Sequence, residues 1–341
     1  MEKTKLLILR LTNRCNLTCR YCYAMAEAGK RDMSLETAIK SIGLFAKGGN
    51  KLKVQFTGGE PLLRTDLMQA IFKYVKREGI QARFSVQTNG TLLNRDNCQL
   101  LREMHCAVGV SIDGIGEANR LRNYPDDSES FNDIVSGIKT LASYGLKCNL
   151  NAVVTSVSQG RLYQLVELAA YLGNVGGIGL DIFRPLGRGS LCSYAPDERK
   201  LSEDLMAMLK RCEELNKLGV NVRIKELEKT RFMLRSGVRE SCYCYAQTGL
   251  SAVVDPSGDI YPCSSLVGMP EMRQGNVKTV STIFDDIPQT LCVSRSECDS
   301  CSELPICRGG CPAGRLAYGG VNRCDCIMHR TFIEYGRNEN V

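Results

Sequence analysis

The 341-residue chain has no apolar stretch approaching ~18 residues, so a membrane-spanning helix is excluded. It lacks a charged N-terminal segment followed by an apolar run and a cleavage site, which reads as a cytoplasmic protein. Basic residues outnumber acidic ones by 44 to 37, but no long block of like charge occurs. A net charge of +7 dispersed in this way reads as a solvated surface and argues against nucleic acid as a partner. Histidine is scarce, with two residues, and the first, His105, stands far from the N-terminus. What the chain has in plenty is cysteine, 18 in all. In a small secreted protein that number would mean disulfides; in a cytosolic chain of this length it means metal.

Three of the cysteines, Cys15, Cys19 and Cys22, stand in the order Cys-x3-Cys-x2-Cys directly after the apolar run Leu6–Leu11, which reads as a short buried strand. Three thiolates on one loop hold three irons of a [4Fe–4S] cube and leave the fourth open to a small molecule. A zinc site would close with a fourth ligand nearby, and no histidine is near.

Up to about residue 235 short apolar runs alternate with amphipathic segments. Strands are predicted over Leu6–Leu11, Leu52–Thr57, Ala82–Gln87, Val108–Ile112, Cys148–Val154 and Ile178–Phe183. Helices are predicted over Ser34–Lys47, Asp66–Glu78, Asn94–Met104, Phe131–Tyr144, Gly160–Leu172 and Glu198–Leu218. Ser34 opens the first of these, and Gly79 and Gly145 stand where helices stop. Strand–helix repeats of this kind imply an α/β fold with a parallel sheet and right-handed crossovers, and six are too few for a closed eight-stranded barrel.

The segment Cys15-Asn16-Leu17-Thr18-Cys19-Arg20-Tyr21-Cys22-Tyr23 resembles the signature loop of radical S-adenosylmethionine (SAM) enzymes. That resemblance implies a partial (β/α)6 barrel, a SAM molecule chelated by the open iron, and Tyr21 packed near its adenine. Gln55-Phe56-Thr57-Gly58-Gly59-Glu60-Pro61 resembles the family segment that holds the SAM amino group. Two glycines would let a ligand approach the backbone, and Glu60 would accept from an ammonium. Gln87-Thr88-Asn89-Gly90-Thr91 and Ser111-Ile112-Asp113-Gly114 resemble the next two strand ends, with Ser111 at the SAM ribose. Arg122 matches an arginine that pairs with the SAM carboxylate, with Arg120 as a competitor. The resemblance thus places Thr88, Asn89, Ser111, Asp113, Arg122 and, by position on the fifth strand, Asn151 at the cofactor, with Arg184 nearby. A helix-capping turn is the alternative for Ser111 and Asp113.

Beyond residue 235 the alternation stops, and ten of the cysteines fall from Cys242 to Cys326. Ser251–Tyr261 reads as a hairpin turning at Asp255–Asp259. The tail resembles the SPASM extension of radical SAM enzymes, which binds two auxiliary [4Fe–4S] clusters; a zinc ribbon is the alternative. The division predicted is a radical SAM barrel over residues 1–235 and a small cysteine-rich domain over 236–341. By that resemblance Cys244, Cys263 and Cys311 hold the first auxiliary cluster, with Cys242 as fourth ligand unless that iron stays open. Cys298, Cys301 and Cys307 hold the second, closed by Cys324 or Cys326, with Cys324 favoured. Metal would then supply much of the folding energy of this segment. Cys98, Cys106, Cys148, Cys192, Cys212 and Cys292 fall outside the motifs and read mostly as small buried hydrophobes. Cys192, on the Gly/Ser-rich segment Gly187–Cys192, is also a candidate hydrogen-atom donor.

The resemblance implies an oxidoreductase that cleaves SAM reductively and uses the resulting carbon radical on a peptide or protein, installing a cross-link, epimerisation or oxidation. An enzyme acting on a tetrapyrrole or other cofactor precursor is the alternative, and a multi-cluster electron carrier the reading from another class. A reducing partner such as flavodoxin or ferredoxin is implied. The chain begins within five residues of its first strand, so a peptide leader would be dispensable or held by a separate protein. Formylglycine-forming members carry an aspartate after the hairpin cysteine, where this chain has Ser264. Three cubes of four irons set the first test: anaerobically reconstituted protein should carry about twelve irons, and about four would leave the tail without clusters.

Overall fold

The computed structural model describes residues 5–25, 31–47, 51–237, 242–280, 291 and 296–339. Six strands, β1 (Lys5–Arg10), β2 (Leu52–Thr57), β3 (Ala82–Thr88), β4 (Ala107–Ser111), β5 (Cys148–Val154) and β6 (Val175–Ile182), lie parallel in that order. Five helices cross between them: α1 (Leu35–Ala46), α2 (Thr65–Arg77), α3 (Arg95–Glu103), α4 (Phe131–Ser143) and α5 (Tyr163–Leu172). A sixth, α6 (Glu198–Lys217), follows β6. The partial (β/α)6 barrel implied by the sequence is the observed architecture. Predicted ends differ from observed ones by at most three residues, and the ranges of β2 and β5 coincide.

Local chemistry explains the elements. Leu7 and Leu9 of β1, and Leu11 just beyond it, are fully buried, and Val54 and Phe56 of β2 meet the same layer. Ser34 caps α1, accepting from the Thr37 amide at 3.1 Å. Gly79 and Gly145 end helices in the left-handed region at φ 64° and 69°. Cys98, Cys106, Cys148 and Cys212 are buried within the main apolar core, as small hydrophobes should be. Cys292 lies outside the described residues.

The C-terminal segment is joined to the barrel through the sheet. Strand β7 (Ser251–Val254) pairs parallel with β1, Leu6 opposite Ser251 through Leu9 opposite Val254. It then turns at Asp255 into the antiparallel β8 (Ile260–Tyr261), so the predicted hairpin extends the sheet to eight strands. Two longer helices were not legible in the sequence. Helix α7 (Lys225–Ser236) follows a short bridge of Ile224 to Ile178. After the short α8 (Leu304–Cys307) and α9 (Pro312–Tyr318), α10 (Arg323–Asn338) packs on α6 and α7. Its buried residues Cys324, Met328, Phe332 and Tyr335 recur at helical spacing but are interleaved with charge, which disguises the stripe. Phe332 is fully buried. Phe332→Ala should cost about 3–5 kcal/mol and expose the C-terminal helix to limited proteolysis, read by thermal melting and fragment mapping.

Candidate active site and cysteine centres

The loop carrying Cys15, Cys19 and Cys22 leaves the C-terminal end of β1 and is held by the neighbouring strand ends. From β2, the Gly59 amide donates to the Thr12 carbonyl and the Glu60 amide to the Arg14 carbonyl, each at 2.8 Å. A Cβ on Gly59 would sit 2.0 Å from the Arg14 carbonyl oxygen, and one on Gly58, at φ 150°, 2.4 Å from that of Thr12. These glycines therefore admit the cysteine loop itself, where the sequence suggested room for a ligand; both also border the cavity. After β3, Asn89 donates its side-chain amide to Cys15 Sγ at 3.7 Å and to Asn16 at 2.9 Å. After β6, the Arg188 amide donates to the Cys22 carbonyl at 3.0 Å and its guanidinium to the Cys19 carbonyl at 3.1 Å.

Glu60 corrects an expectation. Its carboxylate is fully buried and accepts from the Thr88 hydroxyl at 2.7 Å, the Asn89 amide at 2.7 Å and the Leu62 amide at 3.0 Å. It ties β2 to β3 and is not among the residues that line the cavity. Burial pushes its carboxyl up to about 7 against the pull of those three donors.

The three thiols face one cavity of about 1420 Å³, mouth included. Its wall carries Tyr21, Gly58, Gly59, Thr88, Asn89, Ser111, Arg122 and Asn151 from the predicted set. Gln87, which the sequence reading quoted without a role, links two of them, donating to Ser111 at 2.9 Å and accepting from Asn151 at 2.9 Å. Gly109 makes space for that chain, since a Cβ there would lie 2.4 Å from the Gln87 oxygen. Asp113 does not line the cavity. Neither Ser111 nor Asp113 caps the following turn, so the capping alternative falls. The buried Asp113 carboxylate pairs with the Arg122 guanidinium at 3.1 Å, accepts from the Tyr21 hydroxyl, and accepts from the Val153 amide at 2.9 Å. Arg122 in turn lies 5.3 Å over the Tyr21 ring. Burial works against the Arg122 charge, but Asp113 holds the group protonated far above the working range. Arg120 points outward to Glu117 and is no competitor.

Sequence reasoning missed Asp181, Arg188 and Lys225, which also line the cavity. Asp181 is its one carboxylate among the described residues. Arg184 joins Asp181 at 2.7 Å and also acts electrostatically on Cys263 and Cys311. A polar residue at the C-terminal end of a parallel strand was the available signal for Asp181. Cys192 is elsewhere: its thiol faces the Arg20 carbonyl at 3.9 Å, outside the cavity, which removes it as a hydrogen donor.

The donor chemistry fits a cluster here. Burial raises the Cys15 thiol to about 12 and Cys19 to about 11, so in the free protein both are neutral and iron must displace their protons. Three thiols share one open cavity and no histidine joins them among the described residues.

The C-terminal cysteines form two groups. Cys244, Cys263 and Cys311 lie close enough to raise one another's thiols, after the larger effect of burial. The Cys242 thiol donates to the Gln247 carbonyl at 3.6 Å. Cys298, Cys301, Cys307 and Cys326 line a second cavity. Cys324, which the sequence favoured, is buried against the barrel, its thiol toward the Pro196 carbonyl at 3.5 Å. Both cysteines stand on α10, and two residues apart means about 200° around the helix, so one alone faces the cavity. Gly59→Ala should strip about four of about twelve irons and leave the rest, because the clash is with backbone that cannot yield. Cys326→Ala should lose the second C-terminal centre by iron analysis, whereas Cys324→Ala should keep it.

The sequence profile of the Radical SAM superfamily matches residues 9–169. An uncharacterized protein, MJ0907 of Methanocaldococcus jannaschii, is 34% identical over 79% of this chain and 88% of its own. The serine-type anaerobic sulfatase-maturating enzyme of Klebsiella aerogenes is 30% identical over 91% of this chain and 80% of its own. The solved structure of native anSMEcpe with bound AdoMet and Cp18Cys peptide superposes with a TM-score of 0.83 at 23% identity, covering 98% of this chain and 97% of that one. No helix among the described residues is long and apolar enough to cross a membrane. The chain belongs to the radical SAM superfamily and is a radical SAM oxidoreductase of the branch that includes the anaerobic sulfatase-maturating enzymes, with SAM and [4Fe–4S] clusters as its cofactors.

Proposed function

We propose that this enzyme modifies a peptide or protein side chain in the cavity at the C-terminal ends of β1 to β6. The observation that carries the reading is that one cavity is bordered both by Cys15, Cys19 and Cys22 and by Asp181, Arg184 and Lys225. A relative with bound AdoMet holds a peptide on the same fold. When bound there, a cluster with SAM supplies a 5′-deoxyadenosyl radical able to take hydrogen from unactivated C–H bonds.

The chain's own residues do the remaining work. Cys15, Cys19 and Cys22 would hold the cluster. Arg122, locked by Asp113, offers a fixed cation to the SAM carboxylate, with Tyr21 beneath it. Ser111, Gln87 and Asn151 form an ordered polar wall for the ribose side. Asp181 is placed to hold a proton leaving the substrate. Cys244, Cys263 and Cys311, with Cys242 as fourth ligand, would hold the first auxiliary cluster; Cys298, Cys301, Cys307 and Cys326 the second. We assign the enzyme to the cytoplasm, with a flavodoxin- or ferredoxin-like reductant as its partner. Ser264, directly after Cys263 where a turn begins, counts against formylglycine as the product.

The test uses anaerobically reconstituted enzyme with SAM, dithionite, and peptides presenting cysteine or serine in sulfatase context. Slow 5′-deoxyadenosine release is expected, abolished in Cys22→Ala with the C-terminal iron retained. No aldehyde should form on either peptide; its detection by mass spectrometry would overturn the argument from Ser264. No deoxyadenosine at full iron content would return the electron-carrier reading.

A further inference from the structure

The second C-terminal cavity is not lined by thiols alone. Arg315 and Arg330 border it with the four cysteines. Arg315 Nη1 donates to Cys298 Sγ at 3.4 Å, and Arg330 Nη2 donates to Cys301 Sγ at 3.7 Å. The two guanidiniums reach the site from different helices, α9 and α10, and each addresses a different sulfur. Arg315 is 5% exposed and steadied by Glu297 at 3.6 Å and the Gly309 carbonyl at 3.4 Å. Arg330 stands at the solvent edge. Burying an arginine against a cysteine sulfur is costly unless that sulfur carries charge. A neutral thiol accepts weakly; a metal-bound thiolate is the acceptor such a donor fits.

We propose that Arg315 and Arg330 are positioning residues that raise the reduction potential of the centre held by Cys298, Cys301, Cys307 and Cys326, an inference that rests on those four cysteines being its ligands. Reduction adds negative charge to the cluster and its sulfurs. Cationic N–H donors on two of those sulfurs stabilise the reduced form more than the oxidised one. The centre thereby takes up an electron more readily than thiolate ligation alone would allow. The two arginines differ in reach. Arg315 acts from a dry environment, whereas Arg330 acts through water and is screened by salt.

The experiment is a potentiometric titration, followed by electron paramagnetic resonance, on the anaerobically reconstituted full chain. The signal of this centre is the one lost in Cys326→Ala. Its midpoint should fall in Arg330→Gln and fall further in Arg315→Gln, while the other centres stay where they are. The Arg330→Gln shift should shrink as ionic strength rises; the Arg315→Gln shift should not. A midpoint that stays put in an iron-loaded variant overturns the proposal for that arginine. If Arg315→Gln does not hold iron, Arg330→Gln, a surface change, still decides. If Cys326→Ala keeps every signal and all its iron, the ligand reading fails instead, and the two failures are told apart by iron content.

Discussion

Two backbone hydrogen bonds, from the amides of Gly59 and Glu60 to the carbonyls of Thr12 and Arg14, are the constraint on which the active site depends. They press the end of β2 onto the loop leaving β1 so closely that no side chain fits between them. Everything chemical is built outward from that contact. The loop carries the three cysteines, and Asn89 and Arg188 close on it from β3 and β6. Glu60 completes the arrangement from behind, since its carboxylate satisfies donors on two strand ends that would otherwise be buried without partners.

Charge is handled by pairing before any ligand arrives. Arg122 is held by Asp113, Arg184 by Asp181, and Arg315 by Glu297. Removing one member of the buried Arg122–Asp113 pair would leave an uncompensated charge costing about 3–5 kcal/mol, so the pair fixes geometry more than it adds stability. Burial leaves the Cys15 and Cys19 thiols neutral, so metal binding there must displace their protons.

The C-terminal segment shares the barrel's sheet through β7 and its helical layer through α10. A small apolar cluster around Val253, Tyr261, Leu266 and Met272 also packs there, so metal is not the segment's only source of cohesion. Arg184 spans the junction, bordering the SAM-side cavity while acting on Cys263 and Cys311. Tyr23 lies within electrostatic reach of both Cys22 and Cys263. The cysteine loop and the first C-terminal group thus face a common region.

Alternating patterns in the sequence by themselves determined the six strands, the helices between them and the hairpin, because periodicity and turn chemistry are local. The spacing of Cys15, Cys19 and Cys22 likewise determined one shared loop, since three residues so close in sequence cannot scatter. Tertiary structure alone decided which polar groups face the cavity. Glu60 and Asp113 look like cavity residues in sequence but do not line the cavity, and neighbouring strand ends present the donors that hold them. Asp181 and Lys225 carry no motif and reach the cavity because β6 ends and α7 begins there. Cys324 and Cys326 are indistinguishable as letters; the turn of α10 sends one into the core and the other to the cysteine cavity, for a helix cannot point both residues the same way.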